Sequence, residues 1–346
     1  RGRLQESLAK INAQAEDPIQ AYQHHEALLK LYPQLADDPD LSQAIRSVSA
    51  KLVSDVTLAE ETIESSAEPR QSPVVAEAPL ADLSGGEIEA LSGHVFSAIV
   101  DGVLYALSAG DGKLLWRKFV GPDSTQVIPI GESPGADLLV FHSRDNDLLR
   151  LKSNDGALVW RLPVGQHCEM SLASDSTLLL SISSGQLWEV DIASGTSRRQ
   201  VTFPQPLSAA AVAGERGRIY QLGDHSNLYV LHSQTLQCDG VFYLGHKRAT
   251  IQYAPQPAAG FLAVAENHAL RQSRLHLLRE TNRAPLLETA QLPVLLEGHF
   301  GSPLIADQTR IAAVASDGAA TLLEIDPAAE NSPMSIIAKN SGGQQR

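Results

Sequence analysis

Apolar and polar residues alternate in short runs along most of the chain, and clusters of turn-forming residues separate the runs. Residues 104–116, LYALSAGDGKLLW, are a clear example. Bulky and small residues alternate up to Ser108, Gly112 lies in a stretch that tolerates positive φ, and an apolar-rich run ends at Trp116. This pattern predicts a β-hairpin whose second strand carries a large aromatic side chain.

The hairpin pattern occurs again further along the chain. Residues 147–160, DLLRLKSNDGALVW, place Gly156 and Trp160 at a distance of 44 residues from Gly112 and Trp116. An equal spacing of both the turn and the aromatic residue indicates a structural repeat rather than two unrelated hairpins.

A third copy lies in residues 186–199, where Gly195 occupies the turn and Arg199 replaces the tryptophan. Weaker copies keep the apolar strand and the polar turn, and their residues at the glycine position are Leu236, Asn282 and Glu330. Successive turn positions are therefore 39 to 48 residues apart. A period in this range, with several short strands per unit, is typical of a β-propeller blade.

The repeats predict a mainly β protein. Six repeats account for residues 86–338, and each divides into four strands, as in QVIPIG, DLLVFHS, DLLRLKS and ALVWRLPV of the second repeat. We therefore expect a β-propeller of about six four-stranded blades here, and of up to eight in the full protein, followed by a polar tail at residues 339–346.

The N-terminal residues 1–56 space their apolar side chains at helical intervals, which predicts two or three amphipathic helices ahead of the propeller. Asp17 is placed to cap one helix, and Asp38 or Asp40 to cap the next. Residues 21–41 resemble the helix pairs of tetratricopeptide repeats over little more than one unit. The segment is therefore either the end of a longer helical array or a small helical cap.

Residues 57–85 are rich in Glu, Ser, Ala and Pro and contain no aromatic residue. Such a composition buries too little apolar surface to offset the entropy of ordering, so we predict an acidic linker. Its centre, residues 73–75, either adds an edge strand to a sheet or remains extended.

The repeated hairpin resembles the PQQ-like repeat of quinoprotein-type β-propellers, whose consensus is Ala-x-Asp-x-x-x-Gly-Lys-x-x-Trp. Ala106, Lys113 and Trp116 fit it, and Ser108 replaces the aspartate. The third copy keeps the aspartate as Asp191. The resemblance implies that each tryptophan docks on the neighbouring blade, which gives a structural role to Gly112, Trp116, Gly156, Trp160 and Gly195. The repeat is also similar to WD40-like and YVTN-like repeats.

The resemblance implies one of two functions. Pyrroloquinoline quinone dehydrogenases of this family have calcium-ligating residues and often a vicinal cysteine pair, whereas Cys168 and Cys238 are far apart in this sequence. Other members are non-catalytic scaffolds of the bacterial cell envelope or sensor domains of kinases. We therefore expect a non-catalytic platform for protein interaction or ligand sensing, without cofactor or metal. A quinone-dependent dehydrogenase and a polysaccharide or cell-envelope binding module are the alternatives.

The same resemblance implies a bacterial, extracytoplasmic protein tethered to a membrane, with a cytoplasmic location as the alternative. The net charge of −13 disfavours nucleic acid as a partner, because an acidic chain repels phosphate backbones. Residues 1–90 carry 16 acidic and 7 basic side chains, so the excess lies mainly outside the repeats. No run of apolar residues is long enough for a membrane helix. The sequence contains two cysteines, which we expect to be free thiols.

Candidate binding residues are concentrated in one set of predicted loops. Connections between second and third strands, and between successive blades, should share one rim of the propeller. Basic side chains in these loops are Arg144, His167, His225, His246, Lys247, Arg248, His268, Arg271 and His299. On one interpretation they form a weakly basic face that binds an acidic peptide, an acidic polysaccharide or the chain's own linker at residues 60–89. On the other, they are merely residue types that exposed loops tolerate.

Overall fold

The computed structural model describes residues 2–13, 17–35, 38–69, 93–131, 135–223, 227–244, 251–268, 271–283 and 286–340. Three helices come first: α1 Gly2–Ala13, α2 Pro18–Leu31 and α3 Pro39–Asp55, with a short 3-10 helix at Pro33–Leu35. All the elements described after α3 are β-strands.

The helices begin where the sequence places their caps. The Asp17 carboxylate accepts a hydrogen bond from the Gln20 backbone N–H at 3.2 Å. Of the two candidates for α3, Asp38 is the cap, because it accepts from the backbone N–H of Asp40 and of Leu41, both at 3.0 Å. Carboxylates at these positions satisfy donors that have no partner inside the helix.

In the described part of the chain, twenty-five strands form six sheets, which we call blades 1 to 6. Blade 1 contains β2 Val95–Val100, β3 Val103–Ser108 and β4 Leu114–Phe119. Blade 2 contains β5 Val127–Ile130, β6 Asp137–His142, β7 Asp147–Leu151 and β8 Leu158–Pro163. Blade 3 contains β9 Cys168–Ser174, β10 Thr177–Ile182, β11 Gln186–Asp191 and β12 Ser197–Thr202, with β1 Thr57–Ala59 next to β12.

The remaining three blades follow in chain order. Blade 4 contains β13 Val212–Ala213, β14 Arg218–Leu222, β15 Asn227–His232 and β16 Cys238–Tyr243. Blade 5 contains β17 Gln256–Ala258, β18 Phe261–His268, β19 Gln272–Glu280, β20 Leu287–Thr289 and β21 Val294–Glu297. Blade 6 contains β22 Ile305–Asp307, β23 Arg310–Val314, β24 Ala320–Ile325 and β25 Met334–Asn340. The mainly β fold with short N-terminal helices confirms the predicted fold class.

Consecutive apolar residues allow a blade to bury both of its faces. In β6, Leu139 and Phe141 belong to the core shared with Met170 of blade 3. The residues that alternate with them along the strand, Leu138 and Val140, belong to the core shared with blade 1. Because successive side chains of a strand point to opposite faces, a continuous apolar run is what a blade between two others requires.

The chain divides into two compact units. One comprises Arg1–Ala59, Ser184–Leu187 and Val201–Arg346, and the other comprises Glu60–Ser183 and Trp188–Gln200. In the first unit, α3 packs along β16, the last strand of blade 4, and α2 adds a stack of the Tyr22 ring on Tyr243 with centroids 4.3 Å apart. The second unit contains blades 1 and 2 and most of blade 3.

Three details differ from the expectation of uniform four-stranded blades. Blade 1 has three strands among the described residues, and residues 70–92, including the centre of the predicted linker, lie outside them. In blade 5 the fourth strand is split, and β20 and β21 both pair with β19. Pro293 precedes β21 and cannot donate a ladder hydrogen bond, which explains the interruption. Residues 57–69 of the predicted linker include β1 and two β-bridges.

The turn before the last strand has a left-handed residue in several blades. Its φ is 72° at Gly112, 69° at Gly156, 72° at Gly195 and 57° at Leu236. Leu236 therefore adopts the backbone conformation of the glycine that it replaces, although this region is unfavourable for a residue with a Cβ. Its side chain is 1% exposed, so burial offsets this cost.

Candidate functional site

Blade 1 is joined to blade 2 by its tryptophan. The Trp116 indole Nε1 donates a hydrogen bond to the Ser153 carbonyl oxygen at 2.6 Å. The ring lies against Gly156, where a Cβ would be only 2.8 Å from Cδ2 of the ring. Position 156 thus requires glycine, both because its φ is positive and because the Trp116 ring approaches the backbone closely.

The same arrangement joins blade 2 to blade 3. Trp160 is 3% exposed, and its Nε1 donates to the Ile192 carbonyl oxygen at 3.0 Å. A Cβ on Gly195 would lie 2.5 Å from the Trp160 ring. In blade 3 the corresponding residue is Arg199, whose guanidinium pairs with the Glu189 carboxylate on β11. The tryptophan docking is thus replaced by an ion pair within blade 3.

The aspartate of the third repeat shapes the turn on which Trp160 docks. The Asp191 carboxylate accepts hydrogen bonds from the Ser194 hydroxyl at 2.7 Å and the Ser194 backbone N–H at 2.8 Å. These bonds favour the charged form and lower the pKa of Asp191. The Gly195 N–H in turn donates to the Asp191 carbonyl oxygen at 2.8 Å, which closes the turn.

Two of the predicted binding residues lie at the same end of blade 2. Arg144 is exposed in the turn between β6 and β7, and His167 is exposed in the connection from β8 to β9. The His167 ring meets Phe141 edge to face, with centroids 5.5 Å apart. Its Nε2 lies 3.4 Å from the Glu169 carboxylate, whose negative charge makes the net charge of this loop less positive.

Three further predicted residues lie together at one end of blade 5. His268 is the last residue of β18, Arg271 directly precedes β19, and His299 lies between β21 and β22. The Gly298 N–H donates to the Arg271 carbonyl oxygen at 3.0 Å, which holds the two loops together. His225, His246, Lys247 and Arg248 lie outside the described residues.

A buried ionic cluster next to His268 was not predicted. Glu266 is 0% exposed, and its Oε2 is hydrogen-bonded to Nε2 of His276. His268 Nδ1 and Arg274 Nη1 lie 3.9 Å and 4.0 Å from Glu266 Oε1. Register explains the grouping, because Glu266 pairs with Arg274 and Val264 with His276 on β19. The alternation of Glu266 with His268, and of Arg274 with His276, was the available sequence signal.

The outer edge of blade 3 is a second feature that the sequence did not reveal. Residues 60–68, which we call the docked linker, lie along β12 and reach β8 of blade 2. A cavity of about 550 Å³ lies beside the docked linker. It is lined by Glu60 and Thr62 of the linker and by blade 3 residues that include Thr177, Glu189, Arg198 and Arg199. This part of the acidic linker therefore occupies a blade edge rather than the predicted basic loops.

Within the described ranges, no group of three or more His, Cys, Asp or Glu side chains is arranged to hold a metal ion. Cys168 and Cys238 are buried free thiols. Burial raises the pKa of both, that of Cys238 to about 12. None of α1, α2 and α3 has the length and apolar character that a membrane crossing requires.

Two solved structures are similar to the chain at low sequence identity. No curated protein matches the chain. The crystal structure of BamB from Moraxella catarrhalis is similar with 16% identity and a TM-score of 0.45, over 67% of this chain and 82% of that one. The crystal structure of BBS1N in complex with ARL6DN is similar with 10% identity and a TM-score of 0.47, over 66% and 74%.

The family comparison is more specific. The sequence model of the PQQ-like family described as outer membrane protein assembly factor BamB matches residues 60–237. The match includes the docked linker, blades 2 and 3 and both tryptophan contacts. The chain therefore belongs to this BamB family of PQQ-like repeat proteins, which confirms the resemblance inferred from its hairpins.

Proposed function

We propose that this chain is a non-catalytic platform for protein–protein interaction within a larger bacterial envelope protein. Membership of a family described as an assembly factor supports a scaffold role. The observation that carries the proposal is the grouping of the exposed Arg271 with the half-buried His268 and His299 at one end of blade 5. Rigid strands hold these loops in place, which is how β folds commonly present binding residues.

The partner that this end of blade 5 fits is an acidic protein segment. Arg271 is exposed and carries a permanent positive charge, and the half-buried His268 and His299 lie beside it. The chain as a whole is strongly acidic, so a local basic surface would select the orientation in which an acidic partner approaches. Arg144 and His167 of blade 2, and His225, His246, Lys247 and Arg248, remain further proposed contacts.

The experiment is affinity capture from the source cell with variants of one blade. Arg271→Glu combined with His299→Glu reverses the charge of the proposed loops. Arg283→Glu is the matched control, because Arg283 is an exposed arginine in the turn that follows β19 at the opposite end of blade 5. We expect the double variant to lose a partner that the wild type and the control both retain. Retention of every partner by the double variant would contradict the proposed surface.

The family description also supports a location in the bacterial envelope. We expect the protein to be recovered in the envelope fraction of its source cells, and recovery in the cytoplasmic fraction alone would contradict this part of the proposal. A non-catalytic platform should also give no spectral change when pyrroloquinoline quinone and calcium are added. A saturable absorbance change, with turnover of an alcohol or sugar, would instead support a quinone-dependent dehydrogenase.

A further inference from the structure

The docked linker is bound to the propeller by backbone pairing at two points. The Ile63 N–H donates to the Ser197 carbonyl oxygen at 2.9 Å, and the Ser197 N–H donates back at 3.0 Å. Ser66 and Arg161 exchange a second pair, at 2.8 and 2.7 Å. Because Ser197 is on β12 and Arg161 on β8, the linker extends from the edge of blade 3 to the edge of blade 2.

Side chains of the docked linker contact the blades according to strand alternation. Ile63 packs against the core that contains Trp160, and Ser65 donates from its hydroxyl to the Ser194 carbonyl oxygen at 2.5 Å. On the alternate positions, Glu60 and Thr62 line the cavity, and Glu64 accepts a hydrogen bond from the Thr196 hydroxyl at 3.2 Å. The site thus recognises an aliphatic residue, a neighbouring hydroxyl and carboxylates at defined positions.

The docked linker is held weakly compared with the strands that it covers. Every residue from Glu60 to Glu68 is exposed or half-buried, whereas Ser197 beneath it is fully buried. Ile63 is the one large aliphatic side chain in the segment. Four backbone hydrogen bonds, the side-chain hydrogen bonds of Ser65 and Glu64 and a single half-buried aliphatic residue must offset the entropy of ordering nine residues. Such a segment can be exchanged without unfolding the blades.

We propose that the outer edge of β12 is a peptide-binding site that accepts an extended acidic segment by strand addition, and that residues 60–68 fill this site within the same chain. The partner is a protein segment that offers an aliphatic residue in place of Ile63, with glutamates on the alternate positions facing the cavity and Arg198. An exposed sheet edge is a template for such pairing, and side-chain pockets supply the specificity. The inference depends on the proposed function only in that the partner is a protein.

The test uses a fluorescently labelled synthetic peptide with the sequence of residues 60–69, EETIESSAEP, and fluorescence anisotropy. The main variant replaces residues 60–68 of the full chain with Gly and Ser, which removes the Ile63 anchor and the other side chains that contact the blades at Ser197 and Arg161, while β1 stays beside the rest of β12. We expect saturable binding to this variant, and binding about tenfold or more weaker to the wild type, whose own linker competes at high effective concentration. A control peptide carrying Ile63→Asp should bind the main variant about tenfold or more weaker, because its anchor is charged.

A second variant, Ile63→Asp in the full chain, removes the anchor and keeps the rest of the linker. It should bind the wild-type peptide more tightly than the unmodified chain does. No saturable binding to either folded variant, or equal binding of the control peptide, would overturn the proposal. Failure of both variants to fold, measured by circular dichroism, would also overturn it, because the linker would then be a structural strand. Loss of partners in the blade 5 variants is independent of all these outcomes, so the two proposals fail separately.

Discussion

Substituting Gly156 by alanine tests whether the tryptophan contact holds blades 1 and 2 together. The matched control is Gly112→Ala, because Gly112 occupies the same turn of blade 1 with a φ of 72°, compared with 69° at Gly156. A Cβ at Gly156 would lie 2.8 Å from the Trp116 ring, whereas a Cβ at Gly112 meets no described atom within 4 Å. The two substitutions therefore share the backbone strain and differ in the contact with tryptophan.

The two variants should differ in stability because the Cβ displaces the Trp116 ring only at position 156. Alanine in the left-handed region costs about 1 kcal/mol, which both variants lose. Gly156→Ala also displaces the Trp116 indole, and breaking its hydrogen bond to Ser153 costs about 1 kcal/mol. Exposing some 40 Å² of the half-buried ring adds about 1 kcal/mol at 25 cal/mol per Å². We expect losses of about 3 kcal/mol for Gly156→Ala and about 1 kcal/mol for Gly112→Ala.

The assay is urea unfolding followed by tryptophan fluorescence, with the free energy of unfolding as the measured quantity. Trp116 emission in the native state should shift to longer wavelength in Gly156→Ala, since the indole becomes exposed to water, and should not shift in Gly112→Ala. Equal losses of stability in the two variants, or an unshifted native spectrum for Gly156→Ala, would refute the reasoning. The tryptophan contact would then contribute nothing beyond the conformation of the turn.

Three further outcomes follow from other parts of the structure. Because burial keeps the thiols of Cys168 and Cys238 protonated, a thiol reagent at mildly alkaline pH should modify neither cysteine in the folded chain and both in denaturant. Rapid modification of the folded chain would contradict this, because it would show that the thiols are accessible. His276→Leu should lower the free energy of unfolding by about 3 kcal/mol, because it leaves the buried Glu266 carboxylate without its hydrogen-bonded histidine. Adding Glu266→Gln should restore part of this loss, and additive losses of the two single variants in urea unfolding would contradict the coupling. Tyr243→Ala removes the aromatic stack that holds α2 against β16, so limited proteolysis should cleave the helical segment faster, while an unchanged cleavage rate would mean that other contacts suffice.

Local pattern was sufficient to predict the strands of blade 2. The four runs assigned to the second repeat correspond to β5, β6, β7 and β8, because alternation and turn residues are properties of short stretches. Leu236 stands at the turn position that glycine occupies in other repeats, and its φ is positive as at those glycines. Family resemblance extended this to the architecture, since a period of about 40 residues is shared by many propellers.

Contacts between distant residues could not be predicted in the same way. Glu266 and His276 meet only because β18 and β19 pair in one register, and the sequence does not specify that register. The docked linker has a composition typical of disorder, yet the edge of β12 supplies backbone partners that its own sequence does not reveal. The basic loops were located through the predicted strands, but their role depends on a partner whose sequence is not encoded in this chain.

The most direct measurement is site-specific cross-linking in the source cells, with a photoreactive amino acid placed at Arg271 or at Arg283. These two positions lie at opposite ends of blade 5, so they share the blade and differ in the loops that surround them. An interaction platform with its binding surface at the predicted loops should form a cross-link to one defined protein from Arg271 and none to that protein from Arg283. The same set of products from both positions, or no protein product from either, would contradict the account.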